Sequence, residues 1–218
     1  MYLSSDTVAA VHFSELSEPE QRVLGCLIEK RFTTPDQYPL SLNALRLACN
    51  QSTNRDPVTG YDEETVRRAA DRLTVYGLAR LASGHTTRVT KYRHLAEDAL
   101  GVQAEGLSLL CVLLLRGVQT PGELKARTER MAAFDSLEQV EAGLGALIDR
   151  GYARRLERRP GQKEDRFEQL LGGGGDEAEA PSAPALGSSR SADPSGGDLE
   201  ARVAALEAAV AQLRQQLL

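Results

Sequence analysis

An internal repeat constrains the fold of this chain more than any other feature of its sequence. The segment RLTVYGLARL at 72–81 resembles ALIDRGYARRL at 146–156 when the chain is shifted against itself by 74 residues. The shift superposes Val66 on Val140, Leu73 on Leu147, Gly77 on Gly151, and Ala79-Arg80 on Ala153-Arg154. Self-similarity at so many structural positions predicts two copies of one small unit.

Each copy contains a helix followed by a two-stranded ribbon. In the first copy, Asp62 is a natural N-cap, and an apolar stripe follows it at helical spacing. Gly77 stands where a left-handed helix stop is needed. Two strand segments, 78–81 and 88–92, then flank a turn signal at Ser83-Gly84. This order is typical of the second half of a winged helix, which is a helix-turn-helix variant.

Two further helices precede each of these units. Ser17-Glu18-Pro19-Glu20 fits a capping box, and Ser41 can cap the next helix. In the second copy, Thr120-Pro121-Gly122-Glu123 is another capping box for a helix to about Met131, and Asp135 or Ser136 starts the third helix. We therefore predict a mainly α protein with small β-ribbons. Its parts are an N-terminal arm (1–16), a first winged-helix domain (17–97), a second (103–171), a flexible linker (172–197) and a coiled-coil helix (198–218).

The C-terminal helix carries an apolar heptad. Its a and d positions are Leu199, Val203, Leu206, Val210, Leu213 and Leu217. A β-branched residue at a with Leu at d favours a parallel two-stranded coiled coil, so we expect a homodimer. The alternative is an Ala-rich helix that docks on its own chain.

The overall charge gives no general attraction to nucleic acid. The formal net charge is −5, of which residues 172–218 carry −4 and residues 1–171 carry −1. Any nucleic-acid binding must therefore rest on a local basic patch.

The cysteines and the hydropathy indicate a cytoplasmic protein. Cys26, Cys49 and Cys111 are widely spaced and odd in number, which argues against a disulfide framework. The N-terminus lacks the pattern of a signal peptide. The longest apolar run, 107–115, is too short to span a bilayer, so no membrane partner is expected.

The first repeat offers the better candidates for DNA contact. The exposed face of its third helix carries Arg67, Arg68 and Arg72, which suit phosphates or guanine edges. The alternative is a solvated helix surface, since Glu63–Arg67, Glu64–Arg68 and Arg67–Asp71 are all i,i+4 pairs. The corresponding helix of the second repeat exposes Glu138, Gln139 and Glu141 and is a poor candidate.

Both ribbons are locally basic. The first contains Arg80, Arg88, Lys91 and Arg93 with no acid, and the second has seven basic residues against three acids between 150 and 166. Basic ribbons suit phosphate contact, which gives affinity without sequence choice. The alternative is that Lys and Arg protect exposed strand edges.

Catalytic and cofactor motifs are missing from the sequence. It contains no G-x-S-x-G, P-loop or G-x-G-x-x-G, and no His lies in a ligand spacing with Cys. We therefore predict no enzymatic activity, no cofactor and no metal.

A long polar loop at 50–61 separates the second and third helices of the first repeat. Such loops are often functional, and the alternative is that its polar residues satisfy turn backbone, with Arg55 paired to a nearby acid. The segment CNQSTNRDPV at 49–58, following PLSLNAL at 39–45, resembles the signature of the bacterial YceH-like family. Arg116-Gly117 followed by QTPGEL at 119–124 is similar to that family's second-repeat signature.

The resemblance covers residues 16–170, and the C-terminal helix is similar to tails seen in the family. It implies tandem winged helices and dimers, and it implies no settled activity. The loop residues that match the family motif are Asn50, Gln51, Asn54, Arg55 and Pro57.

These observations together favour a non-enzymatic tandem winged-helix protein that binds double-stranded DNA, with regulation as the expected use. The alternative is a protein–protein adaptor, in which the winged helices and the coiled coil serve assembly and the second domain holds a protein partner. The fold by itself is compatible with both.

Overall fold

The computed structural model describes residues 16–82, 90–158 and 164–172. The helices and strands in these ranges confirm a mainly helical protein with small antiparallel sheets. In chain order they are α1 (Glu18–Thr33), β1 (Leu40–Ser41), α2 (Leu42–Cys49), α3 (Glu63–Val75), β2 (Ala79–Leu81), β3 (Lys91–His94), α4 (Ala96–Leu100), α5 (Ala104–Arg116), α6 (Pro121–Thr128), α7 (Leu137–Asp149), β4 (Ala153–Leu156) and β5 (Arg166–Gln169).

The predicted caps start their helices. Asp62 accepts a hydrogen bond from the Thr65 N–H at 2.7 Å, and Ser41 accepts one from the Ala44 N–H at 3.3 Å. Thr120 and Glu123 form a capping box in which each side chain bonds the backbone N–H of the other. These contacts satisfy N–H groups that a helix leaves free in its first turn, which is why short polar signals set the helix starts.

One glycine ends the third helix of each repeat, as predicted. Gly77 has φ +73° and Gly151 has φ +74°. This left-handed conformation costs an L-amino acid side chain free energy but is open to glycine. The chain therefore turns from α3 into β2 and from α7 into β4 in the same way.

The two small sheets have related topologies. The first has the order β1-β3-β2 with antiparallel pairing. The second pairs β4 with β5, and a single bridge from Gln119 to Phe167 lies where β1 lies in the first sheet. In both halves, a helix, a strand or bridge, two helices and a ribbon follow one another in that order.

Several predicted boundaries were wrong. The described part of the return strand of the first ribbon is Lys91–His94, so the strand extends two residues beyond the predicted end at 92. The His94 N–H donates to the Tyr38 hydroxyl, and the His94 side chain is buried. Helix α6 ends at Thr128 rather than near Met131, where the Met131 N–H turns back to the Thr128 carbonyl. The two-residue β1 and the short α4 were not predicted, because neither is long enough to show a period.

Helix α1 is packed between the two halves of the molecule. It contacts α2 and α3 of the first half and α5 of the second. Every residue from Val23 to Ile28 is buried, and the buried apolar residues of both halves form one cluster. Residues near the two ends of the described chain also meet, since the Leu16 N–H donates to the Leu171 carbonyl at 3.1 Å. The first and second halves are thus joined through a common core.

Gly25 allows the close approach of α1 and α5. A Cβ atom at this position would lie 2.8 Å from Leu115 Cδ2 and 3.3 Å from Leu114 Cβ. Both leucines are themselves buried, so neither can move away freely. The absence of a side chain at position 25 therefore sets how near the two helices come.

Some predicted features lie outside the described residues. These are the arm up to residue 15, Arg88, the linker from residue 173 onwards, and the heptad positions Leu199, Val203, Leu206, Val210, Leu213 and Leu217. Within the three described ranges, no helix combines the length and the apolar character that crossing a membrane requires.

Replacing Gly25 with Ala should lower the free energy of unfolding by about 1–3 kcal/mol, because the added methyl group overpacks the α1–α5 contact. Gly145 provides a matched control, since it is also inside a helix but a Cβ there meets nothing within 4 Å. Gly145→Ala should stabilise the protein by about 0.5–1 kcal/mol. Chemical denaturation of both variants measures the difference, and a stabilised Gly25→Ala variant would contradict the close packing.

Candidate functional site

The outer face of the first sheet carries three basic side chains. In the register of β2 and β3, Arg80 lies directly opposite Arg93. Lys91 is two residues before Arg93 and so points to the same face, where Ser41 of β1 lies opposite it. The other face carries the buried Leu40, Ala79, Tyr92 and His94. The sheet thus packs one face on the core and presents three cations on the other.

Like charges directly opposite each other in a ribbon are unfavourable. Arg80, Lys91 and Arg93 have no salt bridge to any other residue in the described part of the chain. An anion on this face would relieve their repulsion, so the face is suited to phosphate groups. Arg88 was predicted with them and lies outside the described residues.

The arginines of α3 are less available than predicted. Arg67 forms the expected i,i+4 ion pair with Glu63 at 2.8 Å. Arg72 Nε lies 2.6 Å from the buried carboxylate of Glu20, and Arg72 also donates to the Tyr76 hydroxyl. Arg72 therefore connects α3 to α1, although its side chain is on the surface.

Arg68 is the freest of the three helix arginines. It is exposed, and it forms no ion pair with Glu64. The predicted Arg67–Asp71 pair is also absent from the described contacts, because Asp71 accepts a hydrogen bond from the Tyr92 hydroxyl at 3.3 Å. Arg67 and Arg68 thus remain at the surface, whereas Arg72 is already paired with Glu20.

A groove connects α3 with the sheet. Its volume is about 530 Å³, and it lies between the start of α2, the first turns of α3 and the edge of β3. Arg67 and Glu63 line it from α3, Ser41 and Asn43 from the α2 side, and Thr90 from the ribbon. The groove places side chains of the helix and of the ribbon on one continuous surface.

Three arginines of the second ribbon are paired with its own acids. Arg154 is paired with Glu168, while Arg155 and Arg158 lie 3.4 and 2.5 Å from the Asp165 carboxylate. The hydrogen bond from Arg158 holds the pKa of Asp165 below its usual range. The two ribbons therefore differ in how their described cations are paired, although the sequence predicts a similar basic excess in both. Arg80, Lys91 and Arg93 of the first have no described ion pair, whereas three arginines of the second do.

The loop at 50–61 is built around the buried Arg55. Its side chain has no exposed surface and forms a two-point ion pair with Glu29 of α1, with distances of 3.1 and 2.6 Å. The remaining N–H groups donate to the carbonyls of Ala48 and Asn54 and to the Gln51 side chain. All five N–H donors of the guanidinium are thus satisfied.

Glu29 is ionised in this environment. Burial opposes its charge, but the hydrogen bonds and the positive charge of Arg55, helped by Lys30, hold the pKa of Glu29 below its usual value. The pair is therefore charged throughout the physiological pH range. Arg55 does pair with an acid, as one alternative predicted, but that acid belongs to α1 and is distant in sequence.

The other motif residues close the loop and attach it to the helices. Asn50 exchanges hydrogen bonds with the backbone of Tyr61 at 2.7 and 2.8 Å. Gln51 accepts one from Lys30, and the carbonyl of Pro57 accepts one from the buried Arg22 at 2.6 Å. Asn54 has φ +60° and accepts a hydrogen bond from Arg116 of α5. The loop is thus a structural brace between α1, α2 and α5.

A second concavity lies where this loop meets the second half. It has a volume of about 240 Å³ and is lined by Asn54, by the ends of α1 and α5, and by the end of α6. Three arginines face it: Arg116, Arg127 and Arg130. The sequence did not bring them together, since only Arg116 belongs to a family motif, while Arg127 lies on α6 and Arg130 in the turn after it.

The cysteines contribute no metal site to the described structure. Cys26, Cys49 and Cys111 are buried and free, and Cys111 contacts the carbonyl of Gly25 at 3.3 Å. Over residues 16–82, 90–158 and 164–172, no three His, Cys, Asp or Glu side chains are grouped so as to hold a metal ion.

The geometry describes a helical protein with small antiparallel sheets, one of which exposes a basic face. The family described as "Protein of unknown function, DUF480" matches residues 16–162. The chain is 45% identical over 210 residues to a UPF0502 protein of Serratia proteamaculans, covering 93% of this chain and 94% of that one. It is 50% identical over 212 residues to a UPF0502 protein of Pelobacter propionicus, with coverages of 93% and 91%.

The UPF0502 protein YceH of Salmonella paratyphi B is 44% identical over 211 residues, with coverages of 93% and 94%. The chain belongs to this DUF480 family, and the resemblance to YceH-like proteins is confirmed.

Replacing Glu29 with Gln should lower the free energy of unfolding by about 3–5 kcal/mol, because it leaves the charge of Arg55 buried without a partner. Glu63→Gln is the matched control. It removes an exposed ion pair, which should cost about 1 kcal/mol or less. Urea denaturation at neutral pH measures the free energy of unfolding of both variants. If both lose only about 1 kcal/mol or less, the buried pair does not stabilise the fold more than an exposed one.

The same pair makes stability depend on pH. Because the folded pKa of Glu29 lies below the unfolded value of about 4.3, the unfolded chain takes up a proton first as the pH falls. The stabilisation is present above the unfolded pKa and is lost as the pH falls through the folded pKa. The melting temperature of Glu29→Gln should therefore fall less steeply than that of wild type below about pH 5.

Proposed function

We propose that this chain is a non-enzymatic, cytoplasmic DNA-binding protein built from two tandem winged helices, at 17–97 and 103–171, with a regulatory role. The order of elements in each half supports this architecture. So does the first sheet, in which β1 pairs with β3 of the β2–β3 ribbon. The observation that carries DNA binding is the outer sheet face, where Arg80, Lys91 and Arg93 lie together without a described acid partner.

The surface beside that face supports the proposal. Arg67 and Arg68 are exposed on α3, and Arg67 lines the groove between α3 and the ribbon. Phosphate contacts from several cations give affinity that does not depend on sequence. Arg72 is a weaker candidate than the others, because contact with DNA would compete with its ion pair to Glu20.

The second candidate function is a protein–protein adaptor. It is favoured by the second half, where three ribbon arginines are paired with acids. Helix α7 also exposes Leu137 beside the polar Glu138, Gln139 and Glu141. An exposed leucine next to an acidic helix face suits a protein better than a phosphate backbone. In this case the DNA experiment below would show no binding.

Lys91→Gln and Arg93→Gln should each reduce the salt dependence of DNA binding. Anisotropy of a labelled mixed-sequence duplex is measured between about 50 and 200 mM salt, where log affinity falls linearly with log salt concentration. Each variant should lower the slope by about one, because each removes one phosphate contact.

Arg154→Gln is the matched control, since it makes the same change in net charge at a residue already paired with Glu168. It should leave the slope unchanged. If wild type shows no binding at the lowest salt, or if all three variants behave alike, the proposed DNA interface is wrong.

We propose further that the heptad at 199–217 joins two copies of the chain. Leu206→Glu places a charge at a d position and should convert the dimer to a monomer. Ala205→Glu, at the neighbouring solvent-facing c position, should leave the dimer intact. Native mass spectrometry distinguishes the two, and a monomeric wild type would rule out the coiled-coil dimer.

A further inference from the structure

The concavity of about 240 Å³ between the two halves is a cavity lined by arginines. Acidic side chains of the described residues neutralise their positive charge only in part. The cavity lining includes three arginines, Arg116, Arg127 and Arg130, and two acids, Glu29 and Glu129. Glu29 does not balance them, because its carboxylate is bound by Arg55 and Lys30. The cavity therefore has more positive than negative charge available to a ligand.

Two arginines of the cavity, Arg116 and Arg127, repel one another. The pKa of Arg116 is lowered, first by partial burial and then by the positive charges of Arg127 and Arg55. Arg127 has only a 3.5 Å contact with Glu123 on the same helix, and Arg130 has no salt bridge to another described residue. Arg116 does donate to the Asn54 side chain, but that contact supplies no negative charge.

Part of the cavity lining is apolar. It is formed by Val112 and Leu115 of α5 together with Ala126 of α6 and Met131 in the turn after α6. Met131 is only half-buried, so it remains available for contact with a ligand. A volume of about 240 Å³ admits a small molecule and excludes a macromolecular segment of any length.

We propose that this cavity binds a small organic monophosphate, with its phosphate at the arginines and a compact apolar body against the α5–α6 wall. Planar guanidinium groups match phosphate oxygens with paired hydrogen bonds, which a carboxylate offers in smaller number. The ligand would touch both halves, since Arg116 belongs to α5 and Asn54 to the brace loop of the first half. No residue of the basic sheet face lines this cavity.

Isothermal titration calorimetry with phenyl phosphate tests the proposal, in a phosphate-free buffer at low salt and without DNA. Wild type should bind phenyl phosphate, and inorganic phosphate more weakly because it lacks the apolar body. Benzoate should also bind more weakly, because it has the apolar body but only a carboxylate. The outcome does not depend on DNA binding, so the two proposals fail separately.

The double variant Arg127→Gln/Arg130→Gln should weaken phenyl phosphate binding by about tenfold or more. Each replacement removes a hydrogen bond between two charged groups, and such bonds contribute more to affinity than neutral ones. Arg46→Gln is the control, because Arg46 is on α2 and away from the cavity lining. Thermal melting confirms that each variant is folded, and the single Arg130→Gln replaces the double variant if that one unfolds.

Two results would overturn the proposed site, and a third would overturn the choice of phosphate. One is the absence of heat from phenyl phosphate with wild type at millimolar concentrations. The other is binding that the cavity variants leave unchanged, which would locate the anion elsewhere on the protein. Equal affinity for benzoate and phenyl phosphate would contradict the choice of a phosphate.

Discussion

The buried ion pair between Arg55 and Glu29 is the interaction on which the rest of the described structure depends. A guanidinium without exposed surface is tolerated only if every donor is bonded and its charge is matched. Here one carboxylate and three further acceptors provide this, and they come from α1, α2 and the loop itself. The loop therefore has one acceptable position, and its next residue, Asp56, is held by the Leu115 carbonyl of α5.

This arrangement explains how two repeated units become one compact body. Each repeat has its own small sheet, but α1 packs against both, and Gly25 lets it approach α5 closely. The brace loop adds polar contacts to the same junction, which leaves a cavity lined by arginines from the second half. The junction thus holds the buried ion pair and is also the place where we propose that a small anion binds.

The ribbons illustrate why charge counts from sequence mislead. By composition, both ribbons have a similar basic excess. In the structure, the acids of the second lie across from its arginines, whereas the first has no acid to offer. The number of cations that stay unpaired depends on which residues face each other across the two strands. A one-residue shift of that register moves every side chain of a strand to the other face. The same reasoning applies to Arg72, whose partner Glu20 lies on another helix.

The sequence by itself determined the local features: the repeat, the helix starts at Asp62, Ser41 and Thr120, and the glycine stops. These depend on a residue and its near neighbours, so spacing is sufficient to predict them. Family membership also followed from short motifs. Only the tertiary structure decided that Arg55 pairs with Glu29 and that Arg116, Arg127 and Arg130 share one cavity. Such contacts join residues far apart in the chain, and their partners are selected by packing, which sequence periodicity does not encode.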